Sequence, residues 1–359
     1  MDFPSGMYKN ILVTGGAGFI GSNFIRLIFS KPGFTGKLIN ADKLTYAGNP
    51  YNLKDVEENY GSSRYYFELV DICDYASVNR CFEKYNIDTV IHFAAESHVD
   101  RSIHGPKDFV ETNVNGTFNL LETARQNWGD INNKRFHHVS TDEVYGSLDA
   151  TGYFYEDMPY DPRSPYSASK ASSDHLVRSY FHTYGVPVTI SNCSNNYGPY
   201  QFPEKLIPLM IYNILNEKLL PVYGDGKNIR DWLFVDDHNE AIIKILLKGR
   251  TGETYNVGGD NEWENIKLVN VLCEKVAVLQ GKEKDYYKKL ITFVKDRAGH
   301  DRRYAINCEK IKNELDWKQS VKFEEGLDIT LKWYMDNLDW VNSITSGEYL
   351  KWVEKNYGN

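Results

Sequence analysis

The residues with the most chemical content stand in two short stretches, Ser140–Tyr145 "STDEVY" and Pro165–Ala171 "PYSASKA". The first sets Thr141, Asp142 and Glu143 side by side at the end of an apolar run, "RFHHVS". Two adjacent carboxyl groups can divide acid and base work when their surroundings push their pKa values apart. On an open turn the same pair is only a solvated acidic bend. In the second stretch Tyr166 and Lys170 are four residues apart, so on a helix they share a face. A free phenol titrates near 10, too high for a base at neutral pH. An ammonium beside it favours the phenolate and lowers that value. Tyr-x-x-x-Lys can then take a proton from an alcohol as hydride leaves its carbon. The spacing alone is common by chance and gains weight only from context.

The context lies near the N-terminus. Lys9–Thr14, "KNILVT", reads as a strand, "GGAGFIG" follows at once, and "SNFIRLIF" has helical spacing. Strand, glycine turn and helix are the setting of a dinucleotide fingerprint. Gly15 permits the tight turn, Gly18 lets the backbone approach a pyrophosphate, and Gly21 lets helix and strand pack closely. The pyrophosphate rests on the helix N-terminus. A second strand, "KLINA", ends at Asp42, 21 residues after Gly21. An acid at that distance holds ribose hydroxyls, and its charge opposes a 2′-phosphate, which favours NAD over NADP.

These residues need a scaffold, and the pattern supplies one. "RYYFELV" closed by Asp71-Ile72, "DTVIHFAA" from Asp88, "RFHHVS" and "VPVTISNCSNNYGP" read as further strands. "ASVNRCFEKY", Pro106–Trp128 and the Tyr166 segment read as intervening helices, and "ESHVDRSIHGP" as a polar loop. Strict alternation argues for an α/β fold, a Rossmann-like doubly wound parallel sheet with helices on both faces. Such a sheet places its ligand beyond the carboxyl ends of its strands, where Asp142 and Glu143 stand. From about residue 200 the alternation loosens. Pro203–Glu217 and "NEAIIKILLKG" read as helices, "LLPVYGDGKNIRDWLFVDD" and "ETYNVGG" as short strands, and "FEEGLDITLKWYMDNLDWVNS" as one helix with an aromatic stripe. The expected division is a dinucleotide-binding domain over 7–200, with contributions from about 230–260, and a smaller mixed α/β C-terminal substrate-binding domain over 201–359. Lys205, Arg230 and Arg297, with aromatics nearby, suit a nucleoside diphosphate.

Composition narrows the function further. The formal charge of −8 argues against nucleic acid or an anionic membrane as the main partner. No segment approaches the roughly 18 unbroken apolar residues of a membrane span, and "MDFPSGMYKN" lacks the apolar run of a signal peptide. Cys73, Cys81, Cys193, Cys273 and Cys308 are odd in number with no C-x-x-C pair. They suggest neither a disulfide framework nor a metal site, and a reducing, cytoplasmic compartment is expected. Met7 offers an alternative start, leaving Met1–Gly6 as a short disordered tail.

Taken together, "TGGAGFIG", "HFAAESHVDRSI", "STDEVYG", "PYSASKA", "CSNNYGPYQFPEKLIP", "YGDGKNIRDWLFV" and "GHDRRYAI" closely resemble the dTDP-glucose 4,6-dehydratases, a family of the extended short-chain dehydrogenase/reductase superfamily. The resemblance runs from about Lys9 to "TSGEYLKWVEKNY". Thr141-Asp142-Glu143 is its most specific part, since related sugar epimerases usually carry small hydroxyl residues there. The resemblance implies oxidation of a dTDP-glucose unit at carbon 4 by NAD, elimination of water across carbons 5 and 6, and hydride return to carbon 6, in deoxysugar (rhamnose-type) nucleotide biosynthesis. Thr141, Asp142, Glu143, Tyr166 and Lys170 are implied as catalytic. Cofactor contacts are implied for Gly15, Gly18, Phe19, Ile20, Gly21, Asp42, Lys43, Leu44, Thr45, Asp71, Ile72, Phe93, Ala94, Ala95, Ser97, Thr112, Tyr166, Lys170 and Asn196. Substrate contacts are implied for Ser97, Thr141, Asp142, Glu143, Asn195, Lys205, Leu206, Pro221, Val222, Tyr223, Arg230, Asn265 and the run Asp296–His300, including Arg297. Ala298 stands where many relatives have proline. The family pairs two long helices per subunit, so a homodimer through the Pro106 and Tyr166 helices is expected. Open alternatives are an epimerase, decarboxylase or dehydratase for another nucleotide sugar, and a non-catalytic NAD-binding relative.

Overall fold

The computed structural model describes Phe3 and residues 7–345. Its strands are β1 (Asn10–Thr14), β2 (Lys37–Asp42), β3 (Tyr65–Leu69), β4 (Thr89–His92), β5 (Arg135–Thr141), β6 (Val188–Cys193), β7 (Asn195–Tyr197), β8 (Leu220–Tyr223), β9 (Ile229–Phe234), β10 (Thr254–Val257), β11 (Glu262–Glu264) and β12 (Ile291–Val294). The main sheet runs in the order β10-β6-β5-β4-β1-β2-β3, and every neighbouring pair is parallel. Both faces are covered by helices, which is why β1, β4, β5 and β6 are almost wholly buried rather than alternating. The order reverses between β1 and β4, opening a crevice at their carboxyl ends.

The helix Phe19–Ser30 covers one face and packs Phe24, Ile25 and Ile28 with Ile242, Ile243 and Leu246 of the helix Val235–Lys248. On the other face Val78, Phe82, Leu120, Leu121, Val177 and Tyr180 close over Leu12, Val90 and Phe136. After β6 the chain builds a second layer. There β11-β9-β7 form a small mixed sheet, and β8 pairs in parallel with β12. A separate apolar cluster of Tyr197, Trp232, Phe234, Leu268, Leu272, Leu327, Leu331 and Tyr334 holds this layer together. The chain returns to the main sheet through Val235–Lys248 and β10.

Several local expectations are corrected. Pro106–Trp128 is not one regular α-helix: it passes through a π-helical stretch, Val110–Gly116, before resuming as Thr117–Asn127. Part of the loop after β4 is a short helix, Val99–His104, begun by the His98 side chain accepting from Arg101 N–H. The C-terminal stripe is two helices, Phe323–Asp336 and Leu338–Thr345, and "TSGEYLKWVEKNY" beyond Thr345 lies outside the described residues. Met1–Gly6 also lies outside them except for Phe3. That residue is buried, not free: its ring meets Phe34 edge-on at 5.1 Å and its N–H donates to the Pro32 carbonyl.

Candidate active site

Gly15 takes φ +71°, and a Cβ there would lie 2.7 Å from Ala94 Cα. A Cβ on Gly21 would lie 2.4 Å from the Gly15 carbonyl oxygen, so only glycine lets this helix start so close to β1. The first turn after Gly18 carries no acidic residue and no side-chain cap. Its N–H groups are therefore available to an anion, and the dipole favours one. Asp42 Oδ2 accepts from Ala17 N–H and Oδ1 from Leu44 N–H, which aims the carboxylate at this turn and leaves each oxygen a further lone pair.

One cavity of about 420 Å³ begins at this turn and ends in the second layer. Most of the residues singled out in the sequence line it, from Gly15, Asp42 and Ile72 through Thr141, Asp142, Glu143, Tyr166 and Lys170 to Lys205, Tyr223, Arg230, Asn265, Arg297 and His300. Three do not. Leu44 (φ +54°) lies outside the lining and donates its N–H to Asp42. Asp71 accepts from Cys73 N–H and pairs with Lys43 at 3.6 Å. Asp296 accepts from Arg297 N–H and bonds His300 Nδ1 at 2.5 Å; Ala298 and Gly299 are likewise absent from the wall. Each of these carboxylates is occupied by its own neighbours. Among the described residues no group of His, Cys, Asp and Glu could hold a metal.

The carboxyl pair follows β5 directly. Asp142 is buried, and its Oδ1 accepts from Thr141 Oγ1 at 3.3 Å. Its Oδ2 is buried with no hydrogen-bond partner. Burial, then the Glu143 carboxylate, then Asp231, hold its pKa well above the ordinary carboxyl value. Glu143 is half-buried; burial raises it too, but the cations Arg297, Arg230 and Lys205 act against the rise. The two environments therefore differ in the sense that separates an acid from a base.

Tyr166 and Lys170 share the helix Pro165–Tyr184, whose start is fixed by a capping box between Ser164 and Ser167. Burial, then the Glu143 carboxylate, push the phenol well above 10, while a Thr141 hydrogen bond works the other way. Lys170 does not bring that value down here. Its Nζ donates to the Val139 carbonyl at 2.9 Å, and burial lowers its own pKa to about 8.

Several wall residues were not anticipated. Asp100 pairs with Arg297 at 3.4 Å and accepts from the Tyr223 hydroxyl at 3.1 Å, joining the loop after β4 to the second layer. Glu204 is buried, accepts from the Tyr46 hydroxyl at 2.9 Å and lies 3.6 Å from Arg101, whose guanidinium covers the Tyr46 ring at 3.5 Å. Lys205 and Ser97, both expected at the site, are joined to each other: Lys205 Nζ donates to the Ser97 carbonyl at 2.7 Å. Asp100 and Arg101 stood inside "ESHVDRSI"; the polarity of that loop was the available signal.

Parallel sheet, glycine turn and a Tyr-x-x-x-Lys helix facing one cavity define an NAD(P)-type enzyme fold of the extended short-chain dehydrogenase/reductase class. The profile of the family described as GDP-mannose 4,6 dehydratase matches residues 12–330. Curated relatives named dTDP-glucose 4,6-dehydratase include that of Shigella flexneri, 52% identical over 97% of this chain and 98% of the relative. That of Neisseria meningitidis is 53% identical over 95% and 97%. Among solved structures, a dTDP-glucose 4,6-dehydratase from Streptomyces venezuelae with NAD bound superposes with TM-score 0.85 at 44% identity, covering 94% of this chain and 100% of that one. A UDP-glucose 4-epimerase from Thermotoga maritima superposes at 0.81 with 28% identity over 92% and 99%. The chain belongs to this nucleotide-sugar 4,6-dehydratase family, alongside the dTDP-glucose 4,6-dehydratases.

Proposed function

We propose that the protein is an NAD-dependent hydro-lyase that converts dTDP-glucose to dTDP-4-keto-6-deoxyglucose and water. The observation that carries this is the pair after β5: a buried, partnerless Asp142 oxygen beside a Glu143 faced by three cations. An epimerisation needs only the Tyr166 side of the site.

The residues fit NAD. The uncapped turn at Gly18 would take the pyrophosphate, Asp42 the adenosine ribose, and Ile72 and Ala94 the apolar faces. When bound, NAD supplies the hydride acceptor at carbon 4, the donor at carbon 6, and a positive charge within the cavity. Tyr166 is held as a phenol without the cofactor. With the positive charge of bound NAD added to that of Lys170 on the same helix face, it would act as a phenolate, hydrogen-bonded to Thr141, that takes the proton of the 4-hydroxyl. Once carbon 4 is a ketone, the proton on carbon 5 is acidic and Glu143 removes it. Asp142, protonated at the start, gives its proton to the departing 6-hydroxyl, which leaves as water. Glu143 then returns a proton to carbon 5. Lys205, Arg230 and Arg297 hold the diphosphate, with Tyr223 and Asn265 toward the nucleoside. The thymine base is supported by the names of the relatives.

The same reading takes the two lobes as cofactor and substrate domains, and the assembly as a homodimer through the Pro106 and Tyr166 helices. Exposed Val110, Phe118 and Tyr184 on these segments support the dimer. Cytoplasmic residence is supported by five free cysteines and by the lack, among the described residues, of any helix long and apolar enough to cross a membrane.

The test is proton NMR of the purified protein in deuterated water with dTDP-glucose. A new methyl signal with deuterium at carbon 5 is expected. Unchanged substrate even with NAD added, alongside turnover of a different nucleotide sugar, would overturn the thymidine assignment.

A further inference from the structure

Behind the cavity, the helix Pro165–Tyr184 carries a stripe at four-residue intervals: Tyr166, Lys170, Asp174 and Arg178. Asp174 is 0% exposed and does not line the cavity. Its Oδ2 accepts from the Ser140 hydroxyl and from the Tyr160 hydroxyl, both at 2.9 Å. Arg178 Nη2 in turn donates to the Tyr160 oxygen at 2.7 Å, and Asn192 Nδ2 donates to it at 3.1 Å. Between Asp174 and Lys170 lies the fully buried His138, with Nε2 3.2 Å from Asp174 Oδ1 and 3.4 Å from Lys170 Nζ. Two hydroxyl donors on one carboxyl oxygen, backed by a guanidinium, are the partners of an ionised carboxylate.

We propose that Asp174 is a positioning residue for the reaction: it is the buried counter-charge that keeps Lys170 an ammonium, and through Ser140 it anchors the end of β5 that presents Thr141, Asp142 and Glu143. The inference rests on the roles given to Tyr166 and Lys170 above. A buried ammonium is strained toward its neutral form. Of the other groups facing it, His138 and His92 are buried neutral imidazoles that offer no negative charge, and Cys193 is a thiol that burial pushes up to about 12. Tyr145 and Tyr160, close to Asp174, are phenols raised by burial. Asp174 is thus the one carboxylate acting directly on Lys170 among the groups packed around it. Burial raises Asp174 itself, but Lys170, Ser140 and Arg178 oppose the rise. Arg178, half-buried at the far end, ties the stripe to Thr254 on β10 as well.

The test compares the parent protein with Asp174→Asn and Asp174→Glu. Lys170 loses its proton near pH 8 in the parent. Without the anion it loses it at lower pH, so the alkaline limb of the pH–rate profile of the NAD-loaded enzyme moves down by about one unit or more. At pH 7.5 a one-unit shift lowers the rate about threefold, and at pH 6 it hardly changes it; Glu restores the limb. A uniform loss at every pH with unmoved limbs would show a packing role only and overturn the proposal.

A second readout needs neither substrate nor cofactor. In urea titrations the stability gap between the parent and Asp174→Asn narrows as pH rises from 6 to 9, because the ammonium that Asp174 serves is lost from both. In a Lys170→Met background the gap holds constant. A gap of constant width with Lys170 present would overturn the coupling even if the dehydratase reading stands. A parent protein with no turnover but a narrowing gap would sink the dehydratase reading alone. Should Asp174→Asn not fold, Arg178→Gln weakens the same ladder from its solvent end, and a smaller shift in the same direction is expected.

Discussion

The Tyr46 hydroxyl donates to Glu204 Oε1 across the cavity wall, at 2.9 Å. Tyr46 belongs to the loop after β2 that carries Lys43 and Thr45, whereas Glu204 precedes Lys205 in the second layer. With Arg101 on the Tyr46 ring and Lys205 on the Ser97 carbonyl, the lobes are laced together over the middle of the site. A cofactor regenerated each turnover gains from such retention. A hydrogen bond to a charged group contributes about 1.5–3 kcal/mol. Tyr46→Phe is therefore expected to speed NAD release roughly tenfold or more, read as loss of NAD from the protein on gel filtration. An unchanged NAD content would assign the contact to packing alone.

Asp142 carries a stability cost that its chemistry requires. Its folded pKa stands well above the ordinary value, so the folded protein retains a proton that the unfolded chain has released. Once pH passes about 4, stability falls with rising pH until the folded group ionises. Asp142→Asn cannot ionise. It should be more stable than the parent, with a gap that widens from pH 4 upward, while dehydration drops about 10²- to 10⁴-fold. Urea titrations at pH 4, 6 and 8 measure the gap; a constant gap would contradict a protonated Asp142.

Glu143→Gln separates the oxidation from the elimination. Tyr166, Thr141 and Lys170 remain, so oxidation at carbon 4 should persist and reduced cofactor should accumulate in the near-ultraviolet spectrum. Deuterium at carbon 5 should be lost, with turnover down about 10²-fold or more. Retained exchange at carbon 5 would move the base to another residue.

Gly21→Ala sets two effects against each other. Alanine inside a helix is favoured over glycine by about 1 kcal/mol. The new Cβ would stand 2.4 Å from the Gly15 carbonyl oxygen, a backbone atom that cannot rotate away. Overpacking of that kind costs about 1–3 kcal/mol. Net destabilisation by thermal melting is expected, together with weaker NAD retention, because the shifted helix start is also the anion site.

Much of the main sheet was legible because its strands are continuous apolar runs separated by helical periods, and because Gly15, Gly21 and Asp42 keep a fixed register. Thr141, Asp142, Glu143, Tyr166 and Lys170 were legible from residue type and neighbourhood. Leu44, Asp71 and Asp296 lie outside the cavity lining, since spacing says nothing of whether a side chain turns to a cavity or to its own backbone. Asp174 escaped notice because a carboxylate four residues after a lysine looks the same in sequence whether it is solvated or buried against His138. The π-helical stretch at Val110–Gly116 has no marker in residue type, and the second layer depends on long-range pairing such as β8 with β12.

The main sheet ends at β10, a strand supplied after the chain has already visited the second layer. A fragment stopped near residue 200 would lack it, leaving the wholly buried β6 as an open edge. It would also strip Ile242, Ile243 and Leu246 from Phe24 and Ile28. Such a piece is a template for strand-to-strand aggregation, not a working half. The chain is a closed circuit whose lobes cannot be exchanged like modules. New substrate preferences have to come from editing the loops that face the cavity while the circuit itself stays intact.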